Sequence, residues 1–419
     1  MPRLFVVLVA LLAGAAEAQR GGGRFDRTNS RCAQGRSDRG LACDDGAFLE
    51  FAPASGAGMG TACACAAVTG AKGETLTFTR TGNATCSPLG LATTGITNAS
   101  LVECAGNLPR VEASGGVLGL RVEAARVNVL TRFIDYANAT WADVGTPALT
   151  GAQVSPWTGT YANLAVQFDD NDGAAFEGRT QTVTVTAATQ YTMSCFVKAG
   201  TLTSARLSLD GTTADFTGLS STTWTLATVV DASSSGVAIA AQVLNGSTAA
   251  ATGTVVWGGC QVEAGGVATS MIPTVAAGVT RNIESPAFTL SSAVGPSASI
   301  AASAQWPSTA VGAVNYLALG NVGDNMTLYR TNDTGAGFQI NATITSPAVS
   351  SMGTTVHRAA LADASGTRSA FWDLGSVAAP AASMAAGVST VWIGRNVGGT
   401  PADGIVTRVC IDPDPTRCR

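Results

Sequence analysis

Tyr191-Thr-Met-Ser-Cys195-Phe-Val197 is the stretch on which the fold turns. Tyr191, Met193, Cys195 and Val197 share one face of an extended chain, and a period of two is the mark of a β-strand. Upstream, residues 180–186 alternate polar positions with Val183 and Val185. Downstream, Leu207 and Leu209 mark a third strand, closed by the hairpin pair Asp210-Gly211. Val237, Ile239, Ala241 and Val243 mark another, followed by Asn245-Gly246, and residues 254–262 give the last. Short strands separated by Gly, Asn and Asp turns predict an antiparallel sandwich. Cys195 points the same way as Met193 and Val197. A Cys195–Cys260 bridge would therefore lie in the core and contribute about 2–4 kcal/mol.

The style returns in residues 287–419. Phe338, Ile340, Ala342 and Ile344 line one face, and residues 356–362 and 368–372 flank the turn Asp363-Ala-Ser-Gly366. Val391 with Ile393, and residues 405–411, add two strands. Trp257, Trp372 and Trp392 fall inside strand patterns and read as core. Residues 273–281 read as the joint between two sandwiches. In residues 46–130 short apolar pieces alternate with Gly and Cys, and residues 75–80 (TLTFTR) have strand period. Helical pattern is scarce. The expected fold is all-β: tandem antiparallel β-sandwiches behind a disulfide-rich N-terminal region.

The N-terminus speaks for export. Residues 1–18 have a basic n-region (Arg3), an apolar run too short to span a bilayer, and the small-x-small site Ala16-Glu17-Ala18. Residues 19–45 form an Arg/Gly-rich leader. The chain holds 10 cysteines, all after that site. An even count in an exported chain reads as disulfides. Cys32, Cys43, Cys63, Cys65, Cys86 and Cys104 form one group, with pairing open among fifteen arrangements; Cys195 with Cys260 and Cys410 with Cys418 form the others. The expected location is extracellular or on the cell surface. With 419 residues, only 12% charged, and a net charge of −4, the whole chain is no binder of nucleic acid. No later apolar run is long enough for a transmembrane span.

Three segments resemble a known pattern. Gly119-Leu-Arg-Val-Glu-Ala-Ala-Arg-Val-Asn-Val-Leu130 is similar to the "GLLVEPARTNLL" segment of phage tail and virion-associated proteins. Cys260-Gln-Val-Glu-Ala-Gly-Gly-Val-Ala-Thr-Ser-Met-Ile-Pro-Thr274, with Thr280-Arg281, resembles their "QLEAGxxATSYIPT…TR" segment. Residues 75–80 with Ala84-Thr85 resemble their "TFTRASxAT" element. The resemblance implies a carbohydrate-binding-module-like jelly roll over 131–281. It also implies a concanavalin/laminin-G-like jelly roll over 287–419. The signal segment and the cysteines depart from that family and point to a secreted relative.

Catalysis finds no footing in the sequence. His357 is the sole histidine and sits in a strand pattern, no G-x-S-x-G elbow occurs, and no E-x-D-x-E strand supplies paired carboxylates. No catalytic residue and no cofactor is expected. Asp169-Asp170-Asn171-Asp172-Gly173 gathers oxygen ligands of the kind calcium takes, but misses the EF-hand register and reads as a solvated acidic turn. Sugar binding needs flat aromatic faces beside planar polar groups. Trp157, Tyr161 and Trp224 lie in Thr/Ser/Gly-rich settings, and Asp169, Asp170 and Asn171 offer polar contacts. These six are the expected carbohydrate site; the alternative is that the aromatics plug the sandwich core or its ends. The expected function is non-catalytic binding of a glycan or cell-surface polysaccharide. The alternatives are a structural or adhesive part of a phage-like particle or appendage, with a homo-oligomer or particle proteins as partners, and a divergent polysaccharide-acting enzyme.

Overall fold

The computed structural model describes residues 49–50, 63–65, 76–89, 94–114 and 117–294, and beyond these residues 379–380 and the strands up to residue 412. Segments 1–18 and 19–45, Cys32, Cys43 and Cys418 lie outside the described residues. The described chain is all-β, in antiparallel sheets; one 3-10 turn, Gly159–Tyr161, is the helical element among the described residues.

The middle sandwich pairs a six-stranded with a five-stranded sheet. The first runs Ala148–Gln153, Ala165–Asp170, Gly253–Ala264, Tyr191–Ala199, Trp224–Asp231, Thr94–Ile96. The second runs Ala142–Val144, Gly178–Thr184, Ala238–Asn245, Ser204–Leu209, Thr212–Thr217. Both inner faces meet in one core, with Met193, Val197, Trp257 and Val262 from one sheet and Leu207, Leu209, Ile239 and Val243 from the other. Cys195 and Cys260 stand opposite each other in the ladder and are disulfide-bonded inside this core. The turn at Asp210-Gly211 forms as expected: both residues have positive φ (50° and 84°), and Leu209 pairs with Thr212.

The other sandwich draws strands from both sides of the middle one. Its larger sheet joins Arg110–Ser114 and Val117–Val122 to Gly404–Asp412, Ser297–Gln305, His357–Ala364 and Thr367–Trp372. Its second sheet joins Leu76–Thr79 to Ser285–Val294, Val388–Ile393, Val314–Asn321, Asp324–Asn332 and Gly335–Ile340. Strands from 46–130 and from 287–419 thus share sheets and one core, where Phe78, Leu120 and Val122 meet Phe288, Ile300, Leu361 and Ile411. The alternation of Phe338 to Ile344 does not continue as one strand: Gly335–Ile340 and Thr343–Thr345 pair with each other, Ile340 opposite Thr343. The open pairing of the first cysteines resolves for four of them, as Cys63–Cys86 and Cys65–Cys104. Cys410 lies in the last strand opposite Ala301.

Candidate functional site

Trp157 and Trp224 are both 0% exposed, so neither indole presents a face to solvent. They belong to a second core on the outer face of the six-stranded sheet, with Ile96, Leu101, Phe133, Phe196 and Met271. The reason is local. Gly258 and Gly259 interrupt the central strand Gly253–Ala264, and a Cβ there would stand 3.0 Å from the Trp224 and Phe133 rings respectively. Missing side chains leave the hollow that the aromatics fill. Trp157 meets Phe133 edge-on at 5.5 Å and Phe196 at 6.2 Å. Trp224 donates Nε1–H to Asn98 Oδ1 (2.8 Å), and the Lys198 ammonium lies 4.7 Å over its ring. Tyr161 is half-buried, edge-on to Phe133 at 5.0 Å; burial, then the charge of Glu103, push its phenol upward.

Asp169, Asp170 and Asn171 lie elsewhere. The aromatics gather near the Ala165 end of the strand Ala165–Asp170, and the acids stand at its other end, about 17 Å away along an extended chain. Asp169 is half-buried, Asp170 buried and Asn171 exposed. The six expected residues therefore do not form one surface.

A different surface is open. A groove of about 590 Å³ runs between the outer face of Gly178–Thr184 and the paired segments around Val129 and Gly278. Thr131, Thr140, Thr180, Thr182 and Thr184 line it with Val129, Ala142, Gln181 and Val183. Thr182 and Thr184 are exposed. Gln181 is fixed behind them: its Nε2 donates to Thr131 O (2.9 Å) and its Oε1 accepts from Thr131 N (2.8 Å). β-Branched threonines in a strand have restricted χ1, so their hydroxyls are set in advance. None of the lining residues is charged. The groove's size falls in the range of small-ligand sites.

A second polar feature escaped the sequence reading altogether. Where the two sandwiches join, Arg80, Arg110, Arg121 and Arg281 face Glu112, Glu123, Glu263 and Glu284, all at most 4% exposed. Glu123 Oε2 takes Arg110 Nη2 at 2.7 Å and Arg281 Nη1 at 2.8 Å, and its Oε1 takes Arg121 Nη2. Glu284 Oε1 takes Arg80 Nη1 at 2.6 Å and Arg110 Nη2 at 2.7 Å. Burial works against Glu123's charge, but Arg121, Arg281 and Arg110 outweigh it and hold the carboxyl well below its ordinary range. Glu263 differs: burial pushes it up to about 7, although Thr269 donates from N (2.6 Å) and Oγ1 (2.7 Å). Arg80, Glu123, Glu263, Ser270 and Arg281 all come from the three segments that resemble virion proteins, so those segments meet at this seam, and the first of them also reaches the groove at Val129.

No family model and no curated protein matches the chain. Among solved structures, it is similar in part to the CBM40 module of the Ruminococcus gnavus IT-sialidase bound to alpha2,3 sialyllactose. Identity there is 20%, with 28% of this chain and 76% of that one covered and a TM-score of 0.25. The CBM22-1-CBM22-2 tandem of Paenibacillus barcinonensis Xyn10C is 11% identical, over 69% of this chain and 98% of that one, TM-score 0.26. Mouse laminin alpha1 domains LG4-5 are 10% identical, over 64% and 92%, TM-score 0.23.

Proposed function

We propose that this is an exported, non-catalytic protein that binds a neutral glycan, such as a cell-surface polysaccharide, in the threonine-lined groove of its middle sandwich. The observation that carries the reading is the groove wall: hydroxyls, one amide and methyl groups, with no charge. Such a wall exchanges hydrogen bonds with sugar hydroxyls and covers C–H faces with methyls, without asking a charged ligand to shed its water. Export is supported by three disulfides, which persist in oxidising compartments. No helix among the described residues is long and apolar enough to cross a membrane. Glycosidic hydrolysis needs two carboxylates across a cleft, and the groove wall has none.

The seam favours a second reading, a structural or adhesive part of a particle or appendage. Residues of the segments that resemble virion-associated proteins hold the two sandwiches together, which suits a rigid building block. A glycan array, run on the full chain and on Thr182→Lys, decides. Wild-type binding that the variant loses at unchanged Tm supports the groove. Silence on every glycan removes it, and a fixed oligomer by native mass spectrometry then favours the second reading.

A further inference from the structure

The groove of the middle sandwich has two unlike walls, and their difference says more about a ligand than their lack of charge. One wall is the strand Gly178–Thr184. Its outward residues Thr180, Thr182 and Thr184 alternate with Gln181 and Val183, which are buried. Three hydroxyls therefore stand in a row, about 6.6 Å apart. The other wall is the two-stranded ribbon of Arg126–Asn128 and Val279–Arg281 with the residues that flank it. Val129 lines the groove from this side, and Val127, two positions earlier on the same face, is 40% exposed. Val275, whose carbonyl accepts Arg132 N at 3.1 Å, is 58% exposed. Gly278 lays bare backbone against Val129: a Cβ there would stand 3.0 Å from Asn128 O and 3.6 Å from Val129 Cα. The hydroxyl that Thr131 brings to this wall is already given to Gln181 Oε1 (3.2 Å). No aromatic ring lines either wall.

A pyranose with a broad C–H face wants a flat aromatic partner, and the groove has none. Aliphatic methyls suit a methyl group instead. A hydroxymethyl arm pressed on Val129 would shed water and find no partner, whereas a methyl in the same place gains by burial. An acetamido group also carries a methyl, but its N–H and C=O need partners beside it. The one side-chain amide at the groove, Gln181, is engaged at both ends by Thr131. Resting on the reading of the groove as a glycan site, we propose that it selects a 6-deoxyhexose, with the C6 methyl on the Val129 wall and ring hydroxyls on Thr180, Thr182 and Thr184.

The test compares glycosides that differ in a single oxygen: methyl α-L-fucopyranoside with methyl α-L-galactopyranoside, and methyl α-L-rhamnopyranoside with methyl α-L-mannopyranoside. The full chain is titrated with each by calorimetry, and saturation-transfer NMR on the wild type shows which ligand protons touch it. In at least one pair the 6-deoxy member binds about fivefold or more tightly than its twin. Its C6 methyl receives the strongest saturation. Val129→Thr, which keeps the size and adds a hydroxyl, removes that preference, and Thr182→Lys weakens both twins. Equal affinity within both pairs, saturation centred on ring protons, or tighter binding of methyl N-acetyl-β-D-glucosaminide overturns the proposal and leaves the groove reading standing. Silence of all four glycosides, with binding elsewhere on a glycan array, does the same. Silence on the array as well takes the groove reading down with it.

Discussion

The seam and the groove are both polar, and they are built on opposite terms. At the seam, eight charged side chains are sealed from water, and ion pairs join Arg80, Arg110, Arg121 and Arg281 to Glu112, Glu123 and Glu284. At the groove, uncharged hydroxyls remain in water with only Gln181 tied behind them. Arg110 stands opposite Arg121 in one ladder and Arg281 opposite Arg126 in another, arrangements that repel unless carboxylates come between. Glu123 is that carboxylate for three of the four. Polarity at the seam is thus committed to the fold, and polarity at the groove is left free for a ligand.

The sharpest way to break this contrast is Glu123→Ala. It leaves Arg110, Arg121 and Arg281 buried beside one missing charge, and removal of one partner of a buried pair costs about 3–5 kcal/mol. Denaturant unfolding should show a large fall in midpoint. A loss under about 1 kcal/mol would mean that water reaches the seam and the contrast fails. Trp157→Ala comes next. A tryptophan removed from a closed core costs about 3–5 kcal/mol, somewhat less where neighbours settle into the gap. Glycan binding by Trp157→Ala should persist wherever the fold does. Binding lost at unchanged stability would return Trp157 to the ligand site.

Glu263→Gln sharpens the comparison within the seam, because Glu123 and Glu263 respond to pH in opposite senses. Glu123 is held below its ordinary value, so its contribution is present above about pH 4.5 and is lost as pH falls. Glu263 is raised to about 7. Below about pH 4.5 it is protonated both folded and unfolded; between there and pH 7 only the unfolded chain ionises, and the fold loses on the order of 2–3 kcal/mol. Glutamine keeps the shape and removes the titration. The variant's Tm should match wild type at pH 5 and exceed it at pH 8. An advantage that is the same at both values would remove Glu263's titration from the account.

The fold was legible because strand period and turn chemistry agree locally. Met193, Cys195 and Val197 share a face in the sequence and in the core, and Asp210-Gly211 turns where its residues say it should. The seam was not legible, for a physical reason. In Leu120-Arg121-Val122-Glu123 the alternation is plain: Leu120 and Val122 enter the core, and Arg121 with Glu123 make the polar face. A polar face on a strand reads as solvated, and only a second sandwich laid upon it makes it interior. Arg80 and Glu284 meet across 204 positions, a separation no local pattern records. For Trp157 and Trp224 the structure takes the alternative, burial, and offers no indole face to a ligand. Their Thr/Ser/Gly neighbours look like loop, and the signal of burial lay far off, in Gly258-Gly259.

Thr182→Lys is the smallest change and tests the open half of the contrast. Thr182 is exposed on the strand Gly178–Thr184 and no groove residue depends on its hydroxyl for a buried hydrogen bond. Surface substitutions of this kind stay within about 0.5 kcal/mol of wild type. The long cationic side chain nevertheless crosses a wall that has no charge and no carboxylate to receive it. A neutral glycan then loses both room and hydroxyl partner, and binding should fall at least about tenfold, or roughly 1.4 kcal/mol. Thr213→Lys, on the same sheet but in the edge strand Thr212–Thr217 away from the groove, should leave binding alone. If both variants weaken binding equally, general charge on the sheet is responsible and the groove is not the site. If neither does, the ligand sits elsewhere, and a polar surface left in water has no more claim on a sugar than any other threonine-rich strand.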